Sequence, residues 1–336
     1  MMRKKLLICI FAIAAFGTNM FGQEGNVSLK FDARADYNYV KIKDAEDQAG
    51  FYGRNLNLML DGKINSTFEY HLRQRLNVPI GSIGGLLDAT DWAYLIYHIN
   101  DNFSLAAGKQ VVAIGGFEYD YAPIDGYFLS AFCNNIPCYE LGLSLGFKDN
   151  SGKHSLQFQI SNSPFITTAF DNMYSYNLLW NGNFDFFKTL YSVNMIEYKK
   201  DCYINYIALG NRFEIDNLSL ELDYTNRYHG NQDNFFDDFS IVAQLKYSIN
   251  NSWNLFVKGG YDQNKAQEAS TPLDRRWDVC VAPGTNYTFG GAGFEFFPLK
   301  DKKDIRIHGY VASSDVEPTE FTFNLGLTWK MQVLNK

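Results

Sequence analysis

After Gln23 the chain has no continuous apolar run long enough to cross a bilayer as a helix, which takes about 20 residues, so inner-membrane residence by helices is excluded. It has no long basic block either. With a net charge of -7, it lacks the clustered positive charge that a nucleic-acid surface needs to displace counterions. No cluster of residues has metal-ligand spacing, and the five histidines, His71, His98, His154, His229 and His308, stand isolated. None pairs with a serine or acid at a telling spacing, so the reading is not an enzyme, and neither metal nor cofactor is expected. Cysteine is scarce, and no plug domain or energy-coupling box precedes the first apolar-polar segment.

What is present begins with a leader. Arg3, Lys4 and Lys5 supply a positive start, Leu6 to Phe16 an apolar stretch, and Gly22-Gln23 a small-residue cleavage point. This is the pattern of an export signal, and its apolar stretch is too short for a permanent membrane helix. The expected division is a signal peptide over 1–22 and one exported domain over 23–336.

That domain interleaves rings with polar residues. Aromatics are 16% of the chain, with 28 Phe and 22 Tyr, yet mean hydropathy is only -0.24. From Val27 onward apolar and polar residues alternate with period two in about 16 segments, which is the strand signal. Alternate connections are tight, reading Gly62–Asn65, Asn100–Asn102, Asp149–Gly152, Glu214–Asn217 and Asn250-Asn251. The intervening ones are mostly long: Val40–Gly50, Val78–Thr90, Val112–Cys138, Asn162–Met173, His229–Asp238 and Asp262–Asn286. Two connections depart from the rule, a short Lys199–Asp201 and a long Asn181–Lys188.

Short inner turns facing long outer loops, on strands of about 9 to 11 residues, is the asymmetry of outer-membrane barrels. A soluble sandwich would share the alternation but not this length and asymmetry. The predicted fold is therefore all-β: an antiparallel transmembrane β-barrel of about 16 strands in the outer membrane of a Gram-negative bacterium. Phe321, Phe323, Leu325, Leu327, Trp329 and Met331 would face lipid, with Glu320, Thr322, Asn324, Thr328 and Lys330 on the lumen side. Tyr37, Tyr39, Trp92 and Tyr228 are expected in aromatic girdles. Backbone groups in hydrocarbon must all be paired, which forces the sheet to close.

A barrel of this size is wide enough for an aqueous channel, and the longest connection, Val112–Cys138, is placed to narrow it. Gly115-Gly116 and Pro123 give the turns needed to enter the lumen, so the loop is expected to fold inward. Phe117, Glu118, Tyr119, Asp120, Tyr121 and Asp125 are the constriction candidates, since so many rings left exposed would make a sizeable apolar patch. Candidate pore-lining cations are Arg34, Arg54, Arg73, Arg75, Lys109, Arg212, Lys246, Lys258 and Arg306. They would draw anions if free, whereas Asp32, Asp36, Glu69, Glu140, Glu221, Asp223 and Glu320 on the same face would neutralise them by pairing across strands. The oxidising compartment permits a Cys133–Cys138 disulfide, alongside free thiols or other pairings.

The segments Phe51–Arg75, FYGRNLNLMLDGKINSTFEYHLRQR, and Trp92–Gln110, WAYLIYHINDNFSLAAGKQ, together resemble the phosphate-selective porin O and P family in its Bacteroidetes form. The shared features are an aromatic-x-Gly-Arg start, an Arg-rich return strand, a tyrosine-rich strand, an Asn-Asp turn and a Gly-Lys-Gln end. The resemblance implies a homotrimeric channel in outer-membrane lipid, passing small hydrophilic solutes with anion or phosphate preference. The third connection departs from the family's cationic pattern, with no Lys or Arg between Lys109 and Lys148. A general or weakly selective diffusion channel is the resulting expectation, and a non-conducting surface barrel that binds partners through its outer loops is the alternative.

Overall fold

A computed structural model describes residues 26–78, 86–166, 172–229, 232, 234–265, 280–281, 283–284, 286–300, 302–315 and 320–335. The expected leader over 1–22 and most of the connection Asp262–Asn286 lie outside these. Among the described residues sixteen strands form one closed antiparallel barrel. The first eight are β1 (Val27–Ile42), β2 (Gln48–Lys63), β3 (Phe68–Arg75), β4 (Thr90–His98), β5 (Phe103–Val111), β6 (Tyr139–Lys148), β7 (His154–Asn162) and β8 (Tyr174–Phe184). The second eight are β9 (Phe187–Lys199), β10 (Cys202–Ile215), β11 (Leu218–His229), β12 (Asp238–Asn250), β13 (Trp253–Asn264), β14 (Asn286–Phe296), β15 (Ile305–Ser314) and β16 (Glu320–Asn335).

Each strand pairs with its sequence neighbours, and β1 closes on β16 from Ser28↔Asn335 to Ile42↔Glu320. Every described strand has a neighbour on both sides, as the closure that hydrocarbon imposes requires. Period-two patterning sets which way each residue faces. On β16 the apolar positions Phe321 to Met331 are exposed on the outer wall, while Asn324 and Thr328 are buried inside. Phe103, Leu105, Leu143, Leu145, Phe158 and Leu178 continue the exposed apolar belt around the barrel.

The tight turns are tighter than the sequence suggests. The connection expected as the long turn Asn181–Lys188 is only Asp185-Phe186, because β8 and β9 stay paired down to Phe184↔Phe187. Asp185 takes the positive φ of 56° that closes so short a hairpin. The expected long loop Val40–Gly50 shortens in the same way, since β1 runs on to Ile42 and β2 starts at Gln48. Trp92 is also relocated: β4 turns Leu95 and Tyr97 outward, so Trp92, Tyr94, Ile96 and His98 line the inner side and Trp92 is no part of an outer girdle.

The third connection carries two short helices, α1 (Phe117–Asp120) and α2 (Ala131–Asn135). Ser130 caps α2 by accepting from the Cys133 N–H at 3.1 Å. Val112, Ile114, Tyr119, Phe132 and Ile136 of this connection pack against Ile196, Ile204, Tyr206 and Ala208 of β9 and β10, with Cys280 and Val281 completing the cluster. It is a dry core away from the lipid-facing wall. Each large side chain buried there contributes roughly 1.5–3 kcal/mol.

Candidate functional site

The third connection is tied by polar bonds to inward side chains of β7, β9, β11, β13, β14, β15, β16 and β1. Its first residues land on an amide network: Gln159 accepts from the Ala113 N–H at 2.8 Å and donates to the Val111 carbonyl, and Asn194 donates to the Ala113 carbonyl at 2.8 Å. The Gly115 N–H donates to Ser192 Oγ at 2.8 Å, and the Gly116 N–H to the Leu190 carbonyl at 3.0 Å. Glycine is required here. Gly116 has φ 97°, and a Cβ on Gly210 of β10 would sit 2.9 Å from Gly116 Cα. Backbone lies directly on barrel wall at this point.

Carboxylates hold the next stretch. Asp223 accepts from the Phe117 and Glu118 N–H groups at 3.0 and 2.6 Å, and Asp262 from the Ala131 N–H at 2.9 Å. Tyr121 donates to Glu221 at 2.7 Å, and Tyr127 to Glu295 at 2.8 Å. Buried Glu118 accepts from the Ser130 N–H at 3.0 Å and pairs with Lys258 at 2.7 Å. Such charge-assisted bonds are about twice as strong as neutral ones. The acids therefore anchor the loop as well as balancing cations, a role that alternation alone does not reveal.

Most of the candidate cations are tied up in the same framework. Arg34 pairs with Asp36 at 2.8 Å and donates to the Ile124 and Gly126 carbonyls; Arg306 pairs with Asp125 at 2.9 Å and Glu295 at 3.3 Å. Arg73 and Arg75 share Asp91 at 3.2 and 2.9 Å, and Arg212 pairs with Glu221 at 2.7 Å while covering the Phe117 ring. Lys246 pairs with Glu295 at 2.6 Å. Arg75 also donates to the Asp88 carbonyl of the 3-10 turn Leu86–Ala89, whereas Lys109 shares the outward register of Leu105 and Ala107 on β5 and donates to the Leu87 carbonyl, so it does not line the lumen. Arg54 donates to Tyr52 Oη at 3.1 Å and is in no ion pair among the described residues. The cross-strand pairing reading thus accounts for these cations better than a row of free charges.

Two cavities flank the loop. The larger, about 1000 Å³, runs along β2 to β8 from Asn100–Asn102 at the short-turn end to Val112 and Cys138 at the long-loop end. Arg54 and Arg73 line it, with Glu118, Tyr119, Asp120 and Tyr121 on the loop side. The smaller, about 290 Å³, lies against β12 to β16 and gathers Lys246, Lys258 and Arg306 with Lys303 and Lys330, facing Asp125 and Glu295. Lys303 and Lys330 were outside the candidate set: Lys303 lies beside Lys302 in the connection before β15, and Lys330 was placed on the polar face of β16 without being singled out. Tyr121 and Gly126 border both cavities.

Of the alternatives left open for Cys133 and Cys138, the structure has the free thiols and not the disulfide. Cys133 Sγ points to the Glu118 carbonyl at 3.6 Å and Cys138 Sγ to the Ile136 carbonyl at 3.2 Å. Burial pushes the Cys133 thiol well up and the Cys138 thiol to about 11. Cys280 is fully buried in the apolar cluster.

Comparison with known proteins agrees with this architecture. The anion-selective porin from Comamonas acidovorans superposes with a TM-score of 0.65 at 11% identity, covering 92% of this chain and 100% of that one. The outer-membrane channel DcaP of Acinetobacter baumannii gives 0.63 at 12% identity, with 91% and 97% covered. The trimer form of OmpT from Vibrio cholerae gives 0.61 at 12% identity, with 91% and 99% covered. At such identities the likeness establishes the fold. No curated protein matches the chain. The closed barrel defines the class by its fold: a sixteen-stranded antiparallel barrel of the kind these outer-membrane proteins share. Within that class, residues 27–182 match the family described as Phosphate-selective porin O and P, a stretch that holds β1 to β7, most of β8 and the whole third connection.

Proposed function

We propose that this chain is a passive, weakly selective diffusion porin in which solutes move along the larger cavity, between the third loop and β2 to β8. One observation carries the reading: that cavity spans the wall from the short-turn residues Asn100–Asn102 to Cys138 at the other end. The loop acts as the constriction, because its anchors on β9 to β16 hold it to one side of the lumen. Selectivity is weak, because Arg34, Arg73, Arg212, Lys258 and Arg306 are neutralised by partners at 3.3 Å or less. A homotrimer in outer-membrane lipid is the working assembly, in keeping with the exposed apolar belt and with the trimer form of the OmpT neighbour.

The test is single-channel conductance of refolded protein in planar bilayers, with reversal potentials in chloride and then phosphate gradients. Stable steps with a small reversal potential are expected, changing little in Arg75→Ala, whose side chain faces the 3-10 turn. Folded protein without steps would sink the channel reading and leave a partner-binding barrel.

A further inference from the structure

The larger cavity has a patterned wall. β4 presents Trp92, Tyr94, Ile96 and His98 at every second residue, a stripe whose members are spaced roughly 6.5–7 Å apart along the strand. Two of the rings are held in place by neighbours: Tyr94 stacks on His71 at 5.0 Å, and Trp92 lies against Tyr139 at 6.0 Å. Beside this stripe the positions of β5 to β7 that line the middle of the cavity are small or amide-bearing, among them Ser104, Gln110, Ser144 and Gln157, with Lys148 at the short-turn end. Ser144 Oγ donates to Gln110 at 2.7 Å and accepts from Gln157 at 3.1 Å, so the lane is pre-ordered.

Charge is balanced here. The cavity's cations are Arg54, Arg73 and Lys148, and its carboxylates are Asp101, Glu118 and Asp120. Arg73 is already spent on Asp91 and Glu118 on Lys258. The formal charges along this wall therefore sum to zero. What remains is a set of flat apolar faces next to a lane of hydroxyl and carboxamide groups that both donate and accept. A solute that uses both at once has one apolar face and a rim of hydroxyls, which is the chemistry of a pyranose ring.

We infer that the larger cavity is a saccharide path: neutral sugars of one to a few rings slide with their C–H faces on Trp92 and Tyr94 and exchange hydroxyl hydrogen bonds with the half-buried Ser104 and Gln157, which the buried Gln110 and Ser144 support from behind. The inference rests on the channel reading above and names its solute class.

The decisive experiment measures block of single-channel potassium chloride current by maltotriose, against sodium phosphate at equal concentration. The expected result is concentration-dependent block by maltotriose and none by phosphate, with block weakened about fivefold to tenfold in Tyr94→Ala and in Trp92→Ala. Tyr94→Phe keeps the ring and should keep the block; it also controls for a folding defect, together with the heat-dependent gel shift of the folded barrel. Conducting steps without maltotriose block, block unchanged in both alanine variants, or stronger block by phosphate would each overturn the saccharide inference while leaving the channel intact. Folded protein that never conducts would instead overturn the channel reading, and the saccharide path with it.

Discussion

The two cavities beside the third loop share Tyr121 and Gly126 but differ in charge. The one along β2 to β8 sets three cations against three carboxylates and lays rings beside amides. The one along β12 to β16 sets five cations against two carboxylates in about 290 Å³. One barrel thus offers a neutral, ring-lined face and a cationic face, and the loop decides which of them a solute meets along the wall. Net charge of the chain, at -7, predicts neither. Local pairing does, because an ion pair at about 3 Å removes most of the long-range field of both partners, and salt screens the remainder beyond about 10 Å at 0.1 M.

The largest expected effect comes from removing the wall between the two. Asp223→Ala deletes the acceptor for the Phe117 and Glu118 N–H groups and leaves two buried donors unsatisfied, at a cost of about 2–5 kcal/mol. Loop release should raise single-channel conductance by about twofold and lower the urea midpoint of the detergent-folded barrel; conductance equal to the parent's would mean that Asp223 is no anchor.

Gly210→Val attacks the same contact from the barrel side. Its Cβ has no room beside Gly116, and the strain should cost about 1–3 kcal/mol, read as a lower gel-shift temperature with conductance moving in the same direction as in Asp223→Ala.

A smaller change sharpens the contrast of charge. Lys303→Gln with Lys330→Gln leaves three cations against two carboxylates in the smaller cavity. The reversal potential in a chloride gradient should then shift toward cation preference by about 5–10 mV at 0.1 M salt and by less at 1 M, as screening dictates. Maltotriose block, set on the other side of the loop, should not change.

The smallest effect belongs to Arg54→Gln. It removes a cavity-lining cation outside the ion-pair framework, so conductance should fall by no more than about a fifth in low salt, since one half-exposed charge is largely screened. A large loss would show that the neutral face depends on that charge after all.

Legibility in the sequence differed sharply between wall and loop. The alternation that places Leu325 outward and Asn324 inward is local, so strand number, closure and the lipid-facing belt could be read from it residue by residue. The tyrosine-rich strand and its Asn-Asp turn were also plain, yet Trp92 was assigned to the wrong side. Alternation alone sets Trp92 with Tyr94, Ile96 and His98, opposite Leu95 and Tyr97; its place near a strand end was read as a girdle position against its own parity, and the register shift between Arg73 and Gln74 falls outside it, at Asp91. The cations of the site were found as residues but not as states: Arg75 spends its donors on Asp91 and the Asp88 carbonyl, while Lys109 shares the outward register of Leu105 and Ala107 and donates to the Leu87 carbonyl.

The sequence by itself determined that the chain is an all-β barrel with one lipid-facing and one lumen-facing side, because period-two hydrophobicity and short-range turn chemistry act between near neighbours. Tertiary structure alone decided which groups remain available in the lumen. Asp223 meets Phe117 from 106 residues away, and Tyr127 reaches Glu295 across 168. Hydrogen bonds and ion pairs fall off within a few ångströms, so their existence depends on the folded path of the third loop, and no local pattern encodes that path.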